Sequence, residues 1–418
     1  MALPFLTDAN SDALFKRTYA STIKSMLYGS NKRFLLGAIK KTVGGGESFT
    51  VPLEFGGQPG RSATFANALA NRGLSRRVKF AMDWTENHAQ AVIRNTDIEL
   101  TKNAGASAVV ALKMQEIKST TETLANSIEH ALIRSGFNEI GQIAAAGIAG
   151  QVITMASRSD CNIVDQGQVL VAANAINSAS LNGGAVTVAS VDRDAGTITV
   201  TGSLASWAGG NYIFQQGDQL GSATPINCIG VGGWIPLVAP SGIDVGGVDR
   251  SVAPQALAGV RVDGRGKSAK EAIFDLVTRV SDAGGSPDVV LATNDFVGKL
   301  VKEIEGSTVY AKTPAQDANG TVADIMYESV MLHGPSGQLK VQGSPFMYSD
   351  RVFALDMSSW EMRVAGGNSS DPVYNNTYCS TSAPMIDDPS ADQQIARLKA
   401  LFLLVCNAPQ HNGVTQIA

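Results

Sequence analysis

The segment GRGKS, at residues 264–268, contains residue types that could bind a phosphate group. A phosphate loop of the Walker type also needs a glycine at position 261, and Arg261 occupies that position. Ser268 and Glu271 have instead the spacing of a helix capping box, in which the serine hydroxyl accepts a backbone N–H of the first turn. The segment therefore predicts the beginning of a helix and not a nucleotide site.

No other spacing of nucleophilic, acid–base or metal-ligating residues indicates a reaction. The four histidines, His88, His130, His333 and His411, do not have the spacing of a metal site, and HExxH is absent. The segment GPSGQ does not have the GxSxG spacing of a serine nucleophile. We therefore predict no catalytic residue, no cofactor and no metal, and the chain is not expected to be an enzyme.

A glycine-rich run near the start of the chain leads into a strand pattern. Gly44, Gly45 and Gly46 precede the segment SFTVPLEF, and Gly56 and Gly57 follow it. A phosphate-binding role for these glycines would need a helix after them, and a strand pattern follows instead. The glycines are interpreted as hinges on either side of the strand.

Two alternating segments predict a long β-hairpin over about residues 43–93. Pro52 cannot donate to a ladder, which predicts an edge strand, and the tip between about Gly56 and Gly73 is predicted to be flexible. Because an isolated two-stranded ribbon is marginally stable in water, its apolar face is predicted to pack on a neighbouring copy of the chain. The predicted contact residues alternate along the two strands. They are Phe49, Val51, Leu53, Phe55, Val78, Phe80, Met82 and Trp84.

The composition is typical of a folded protein that is mixed or rich in β-structure. Of the 418 residues, 44% are hydrophobic and 17% are charged, and glycine occurs 43 times. The longest apolar run, ALFLLVC, is much shorter than the roughly 20 residues of a membrane span, and the N-terminus lacks the pattern of a secretory signal. Four scattered cysteines without CxxC spacing indicate reduced thiols. A soluble, cytosolic chain without a membrane partner is expected.

The charge is divided unevenly along the chain. Residues 1–102 contain 14 Lys and Arg against 8 Asp and Glu, whereas the remainder contains 19 against 29. A basic arm on an acidic body suits head-to-tail association of like subunits or contact with nucleic acid. A solvated basic surface is the alternative. The basic residues of interest in this arm are Lys16, Arg17, Lys24, Lys32 and Arg33.

The remaining pattern predicts an α+β chain. Apolar residues at spacings of three and four predict one long helix over residues 104–135, stopped by Gly136, with a coiled coil as the alternative. Strand and turn signals over residues 155–245 predict a small β-rich module inserted into a larger domain. Helix and strand patterns alternate over residues 268–366, and LKALFLLVCNA predicts a closing strand.

Several segments together resemble the major capsid protein of tailed bacteriophages, the Hong Kong phage capsid fold. ESFTVPLEFGGQPGRSATFANA with SRRVKFAMDW resembles the extended loop of that family, and ALKMQEIKSTTETLANSIEHALIRSG resembles its spine helix. RVDGRGKSAKEAIFDLVTRVSDAGGSPDVVLATNDFVGKLVKEI resembles the opening of its axial domain. FNEIGQIA and LKALFLLVCNAPQHNGVTQI resemble the turn into its peripheral domain and the closing strand of that domain. The order of these segments, over nearly the whole chain, carries the resemblance.

The resemblance implies a division of the chain into parts. These are an N-terminal arm at 1–42, an extended hairpin loop at 43–100, the spine helix and the start of the peripheral domain at 101–154, a β-rich insertion at 155–250, the axial domain at 251–366, and the return to the peripheral domain at 367–418.

The resemblance also implies a function. Such subunits form hexamers and pentamers that close into an icosahedral capsid around double-stranded DNA. The chain is therefore expected in the virion capsid, assembled in the host cell cytoplasm. Its expected partners are other copies of itself, a separate scaffolding protein, a portal and packaged double-stranded DNA held by non-specific charge, with a decoration protein as a further candidate. The glycines beside the hairpin would let it swing if the shell expands.

Three other interpretations stay open at this point. An encapsulin, a bacterial nanocompartment shell, has the same fold and encloses protein cargo. A β-rich phage tail or host-binding protein is suggested by residues 155–245. An enzyme of an unrecognised type is the third.

Overall fold

The structure is a computed structural model that describes residues 33–102, 106–242, 244–307, 330–335, 337–365 and 386–417. Its helices are α1 (Phe34–Ala38), α2 (Phe65–Ala70), α3 (Asn95–Lys102), α4 (Ala106–Ile133), α5 (Val231–Trp234), α6 (Pro254–Ala258), α7 (Ala269–Asp282) and α8 (Asn294–Ser307). Its strands are β1 (Lys40–Gly44), β2 (Ser48–Gly56), β3 (Arg76–Asp83), β4 (Thr85–Arg94), β5 (Gly141–Ala149), β6 (Val152–Met155), β7 (Val169–Ala173), β8 (Val186–Asp192), β9 (Thr197–Thr201), β10 (Tyr212–Gln215), β11 (Val260–Asp263), β12 (Val289–Ala292), β13 (Val330–Gly334), β14 (Gly337–Gly343), β15 (Arg351–Leu355), β16 (Trp360–Ala365), β17 (Ile386–Asp387), β18 (Gln393–Cys406) and β19 (Gly413–Gln416). This mixture confirms the predicted α+β class.

Two sheets form the body of the subunit. One has the strand order β1-β16-β18-β17, with β4 also paired to β18, and the other has the order β11-β19-β15-β12-β14-β13. Strand β18 pairs antiparallel with β4 from Gln393 opposite Arg94 to Phe402 opposite Thr85. The closing strand predicted from LKALFLLVCNA is therefore confirmed, and it extends further towards the N-terminus than that segment.

Helix α4 is the long helix predicted over residues 104–135. It packs against α1 and β4 of the same chain, and the described part of its apolar stripe, from Ile117 to Leu132, is covered within the subunit, so a coiled coil is not needed there. Gly136, with φ of +107°, follows the helix in the left-handed region that glycine adopts readily. The predicted stripe is buried at Ile117, Leu124, Ile128 and Leu132.

Six strands that follow α4 close into a barrel with the order β10-β5-β6-β9-β8-β7. Its core includes Ile153, Leu170, Ile198 and Ile213, each fully buried. The proposed domain boundary at residue 155 divides this barrel, because β5 and β6 precede it, and that boundary is wrong. The reason is local: GQIAAAGIA, the sequence of β5, is dominated by Ala and Gly and has no clear apolar–polar alternation.

The GRGKS segment leads into helix α7 as predicted. The Ser268 hydroxyl accepts the Glu271 N–H at 3.2 Å. The carboxylate of Glu303 accepts the N–H groups of Ala269 and Lys270, each at 3.0 Å, so a residue of α8 completes the cap. These contacts satisfy the first turn of the helix and account for the residue types in this segment.

The cysteines behave as buried thiols where the structure describes them. Cys161, Cys228 and Cys406 are free and buried, and burial raises the pKa of Cys228 and of Cys406 to about 12. Cys379 lies outside the described residues. No helix among the described residues is long and apolar enough to cross a membrane.

Candidate intersubunit interface

Strands β2 and β3 form the predicted hairpin as a separate two-stranded sheet. The register places Phe49 opposite Met82, Val51 opposite Phe80, and Leu53 opposite Val78. Because directly opposed residues of an antiparallel pair share a face, the apolar side chains form one stripe, as predicted. The register shifts between Glu54 and Gly56, so regular pairing ends close to the tip.

The base of this stripe is covered by the same chain. Val51, Phe80 and Met82 are 5%, 0% and 4% exposed within the subunit. A short 3₁₀ turn at Val245–Gly247 crosses the hairpin, and a Cβ added to Gly246 would lie 3.1 Å from Phe80. The expectation that a neighbouring copy must cover the whole stripe is therefore wrong at these three residues. The sequence does not reveal this contact because the covering turn follows the barrel.

A buried arginine holds the covering segment in place. Arg250 is 1% exposed and makes two hydrogen bonds to the Asp244 carboxylate, at 2.7 and 2.5 Å. Its guanidinium also donates to the carbonyls of Trp234, at 2.7 Å, and of Gly233, at 3.0 Å. A buried charge with this many partners is well compensated, so the segment forms a rigid cover over the hairpin base.

The glycines before the hairpin lie against Trp84. Gly44 ends strand β1, and a Cβ at this position would meet the Trp84 ring at 3.3 Å. The Trp84 indole N–H donates to the Gly46 carbonyl at 2.8 Å. Movement at Gly44, Gly45 or Gly46 would break this contact, so close packing is a second reason for glycine here. Their role as hinges stays a prediction, as does that of Gly56 and Gly57.

The other five residues of the predicted contact stripe are half-buried. The guanidinium carbon of Arg363 lies 4.0 Å from the centre of the Phe49 ring, a cation–π contact within the subunit. Leu53, Phe55, Val78 and Trp84 are also partly buried against the same core. The surface that remains for another copy is therefore concentrated towards the outer end of the hairpin.

The tip of the hairpin is apolar and exposed. Phe65 and Leu74 are 85% and 89% exposed, and Leu69 is 49% exposed. Phe65 and Leu69 lie on helix α2, which has no buried residue. The flexible tip expected between Gly56 and Gly73 contains this helix, which was not predicted. The signal in the sequence is the spacing of four residues between Phe65 and Leu69.

The charge of the tip has one sign. Residues 55–82 contain Arg61, Arg72, Arg76, Arg77 and Lys79 and no acidic residue. Glu54, just outside this range, accepts a hydrogen bond from the Arg77 side chain at 2.8 Å. The hairpin therefore presents apolar side chains surrounded by positive charge, whereas residues 103–418 have more acidic than basic residues.

The basic arm meets the subunit at helix α4. The Glu129 carboxylate, fully buried on α4, accepts the N–H groups of Leu35 at 2.9 Å and Leu36 at 2.7 Å. This contact fixes the first turn of α1, directly after Arg33. Burial raises the pKa of Glu129 to about 7. Lys16, Arg17, Lys24 and Lys32 lie outside the described residues.

The tip of the hairpin presents apolar and basic side chains. Within the described ranges, no group of three or more His, Cys, Asp and Glu side chains is arranged to hold a metal ion. The arrangement can bury apolar surface and pair charges between copies of the chain.

The chain combines a long helix, two sheets, an extended hairpin with an exposed tip and a six-stranded barrel. The sequence matches the SU10 major capsid protein family over residues 84–376, and the chain belongs to this family. It is therefore a structural protein of the icosahedral capsid of a bacteriophage, and the predicted resemblance is confirmed. The match begins at Trp84, so strands β2 and β3 precede it.

One solved capsid chain has a fold similar to that of this chain. A chain of the cyanophage A-1(L) capsid asymmetric unit is 11% identical, with 98% of this chain and 99% of that chain covered and a TM-score of 0.53. A chain of Mycobacterium phage Adephagia is 13% identical, with 99% and 98% covered and a TM-score of 0.43. The SrpI encapsulin of Synechococcus elongatus PCC 7942 is 8% identical, with 98% and 95% covered and a TM-score of 0.45. A comparison with curated proteins finds no match.

Proposed function

We propose that this chain forms hexamers and pentamers, which close into a shell around double-stranded DNA, and that the hairpin joins neighbouring copies. The observation that carries the proposal is the tip of the hairpin, where Phe65, Leu69 and Leu74 are exposed. Burying a large apolar side chain stabilises an association by roughly 1.5–3 kcal/mol, and each contact is repeated around a closed shell.

The charge of the tip favours another copy of the chain as the acceptor. Five basic residues and no acidic residue lie between positions 55 and 82, and the chain after residue 102 has 29 acidic against 19 basic residues. Opposite charges increase the rate of encounter and exclude wrong partners, while apolar contact supplies affinity. The half-buried outer residues of the stripe, Leu53, Phe55 and Val78, extend the same surface towards the base.

The division of the chain follows the capsid fold, with one changed boundary. We propose the arm at 1–42, the hairpin loop at 43–100, the axial domain at 251–366 and the return to the peripheral domain at 367–418. The spine helix region then ends near residue 140, and the insertion begins with β5 at Gly141.

The remaining partners are proposed from the basic charge of the arm and from the assembly of a shell. The basic arm contacts packaged DNA through non-specific charge, and Leu35 and Leu36, near its end, are attached to Glu129 of the spine helix. A separate scaffolding protein, a portal and a decoration protein are the other proposed partners, with assembly in the host cell cytoplasm. The chain acts without catalysis of its own.

Electron microscopy of the purified chain, fractionated by size, tests this proposal. We expect closed particles or capsomer-sized rings, alone or with a co-expressed scaffolding protein. A monomer that never assembles under these conditions would contradict it. Shells that contain protein cargo and exclude DNA would favour the encapsulin alternative, and fibres or trimers would favour a tail protein.

A further inference from the structure

A narrow cavity lined by both polar and apolar side chains lies between helix α4 and the barrel, away from the hairpin. Its volume is about 70 Å³. Asn126, Ser127 and His130 of α4 form one wall, and Asn162 and Asp218 lie on the barrel side. The more exposed rim includes Thr123, Asp165 and Gln215. The cavity therefore occupies the contact between the long helix and the inserted barrel.

Three buried polar atoms of this cavity have no well-aligned hydrogen-bond partner among the described residues, although the side chains of His130 and Asn138 lie near each other. The three atoms are Asn126 Oδ1, His130 Nε2 and Asn138 Oδ1, and all three side chains line the cavity. His130 and Asn138 are only 3% and 4% exposed. Native proteins pair almost all buried polar groups with protein or with ordered water, so three unpaired atoms at one cavity indicate a bound polar species.

The orientation of the Asn138 amide is determined by its neighbour. Its Nδ2 donates to Asp218 Oδ2 at 2.7 Å, and exchanging the amide oxygen and nitrogen would lose this bond. The unpaired atom is therefore an acceptor. Asn138 has φ of +56°, a backbone conformation that few residue types other than glycine adopt readily.

The imidazole of His130 is held neutral. Burial and the nearby Arg134 charge both lower the pKa of His130 well below its ordinary value. A neutral imidazole has one N–H and one bare nitrogen, so Nε2 is a donor in one tautomer and an acceptor in the other. A species that both donates and accepts hydrogen bonds suits either tautomer.

We propose that this cavity binds two ordered water molecules, which bridge His130 Nε2, Asn138 Oδ1 and Asn126 Oδ1 and join helix α4 to the barrel. One water needs roughly 10–15 Å³ of such cavity space, so the volume accommodates at least two waters. Water fits better than a cation because Arg134 adds positive charge beside His130 and Asp218 already accepts from Asn138. The barrel thus meets the helix through a hydrated contact, and this inference does not depend on the proposed role of the hairpin.

A high-resolution crystal structure of the wild-type subunit tests the proposal. Crystals are grown in sodium buffer and soaked in rubidium or manganese salts, and anomalous scattering is recorded. We expect two peaks within hydrogen-bond distance of His130 Nε2 and Asn138 Oδ1, without anomalous signal and unchanged by the soak. An anomalous peak in the cavity would assign a cation and overturn the proposal. A dry cavity, with the three atoms bonded to protein instead, would also overturn it.

A variant with a matched control locates the waters. Asn126→Leu removes one acceptor and fills part of the space, so one of the two peaks should disappear while the peak beside Asn138 remains. Thr120→Val, on the same helix but outside the cavity lining, should leave both peaks in place. Two unchanged peaks in Asn126→Leu would show that Asn126 does not hold a water and would overturn its part in the bridge.

Discussion

The ring of Phe80 lies against the ring of Trp234, with centroids 5.2 Å apart and planes at 49°. Phe80 belongs to the hairpin, whereas Trp234 follows the barrel in the chain. The Trp234 indole N–H donates to the Leu404 carbonyl at 3.1 Å, which ties the same side chain to the closing strand. The base of the hairpin is therefore part of the subunit core, and its outer end is the portion left for contact with another copy.

Trp234→Ala tests this attachment. Phe80 and Trp234 are both fully buried, and removing a large buried aromatic side chain should destabilise the subunit by about 3–5 kcal/mol. Urea unfolding measures the loss, and hydrogen exchange of residues 76–83 should become faster. Val238→Ala, at a side chain that is 78% exposed, should change stability by no more than about 0.5 kcal/mol. Unchanged exchange in β3 would contradict the attachment.

Arg250→Ala tests the cover over the hairpin base. The substitution leaves Asp244 and two backbone carbonyls without their partner, and breaking a buried ion pair costs about 3–5 kcal/mol. The matched control is Arg265→Ala, which removes a solvent-exposed pair with Asp263 and should leave the free energy of unfolding nearly unchanged. If urea unfolding showed equal losses of stability for Arg250→Ala and Arg265→Ala, the burial of Arg250 would not determine the cost of removing it.

Leu74→Asp tests the tip as an intersubunit contact. The side chain is 89% exposed in the subunit, so unfolding of the isolated subunit should be unchanged, while assembly should fall steeply because a charge enters the apolar surface. Light scattering and electron microscopy measure assembly. Val252→Asp, at an exposed apolar residue outside the hairpin, is the control. Normal shells from Leu74→Asp would remove the tip from the interface.

Deletion of the barrel tests its independence. Residue 140 can be joined to residue 216 by a short Gly-Ser linker, because the Ile140 N–H donates to the Ile213 carbonyl at 2.9 Å and the two ends are adjacent. This variant should keep a cooperative unfolding transition. Deleting residues 160–245 instead should abolish it, since that removes Trp234 and takes away β10 and β9, the outer partners of β5 and β6. A folded product of the second deletion would contradict the boundary at Gly141.

Glu129→Gln tests the buried carboxylate beneath the arm. Burial raises its pKa from 4.5 to about 7, so between these values the folded subunit holds a proton that the unfolded chain has released. This stability is full below about pH 4.5 and is lost as the pH rises through about 7; it is on the order of 3 kcal/mol. Glutamine cannot ionise, so the variant should lose less stability than wild type between pH 5 and pH 8.

The control for this pH effect is Glu47→Gln, at an exposed carboxylate, which should keep the wild-type slope. Asp160 and Asp218, with pKa values raised by burial to about 7 and about 6, contribute with the same sign and leave some slope in Glu129→Gln. Urea unfolding at both pH values provides the comparison. Identical slopes for Glu129→Gln and wild type would show that Glu129 does not titrate in this range.

Local patterns in the sequence determined the elements that have strong periodicity. The alternation in β2 and β3, the stripe from Ile117 to Leu132 and the capping serine at position 268 each predicted the element that the structure contains. The family resemblance rested on the order of these elements. A helix at the hairpin tip and the first two strands of the barrel were missed, because FANALA is short and GQIAAAGIA has too little apolar contrast.

Contacts between distant segments were decided only by the tertiary structure. An alternating strand shows which face is apolar but not what covers it, because the covering residues can come from anywhere in the chain. Here Trp234 and Gly246 contact Phe80, although all the strands of the barrel separate them from Phe80 in the sequence. The contact of Glu129 with Leu35 could not be predicted from the sequence for the same reason. A buried carboxylate and the backbone N–H groups that donate to it need not be close in the sequence.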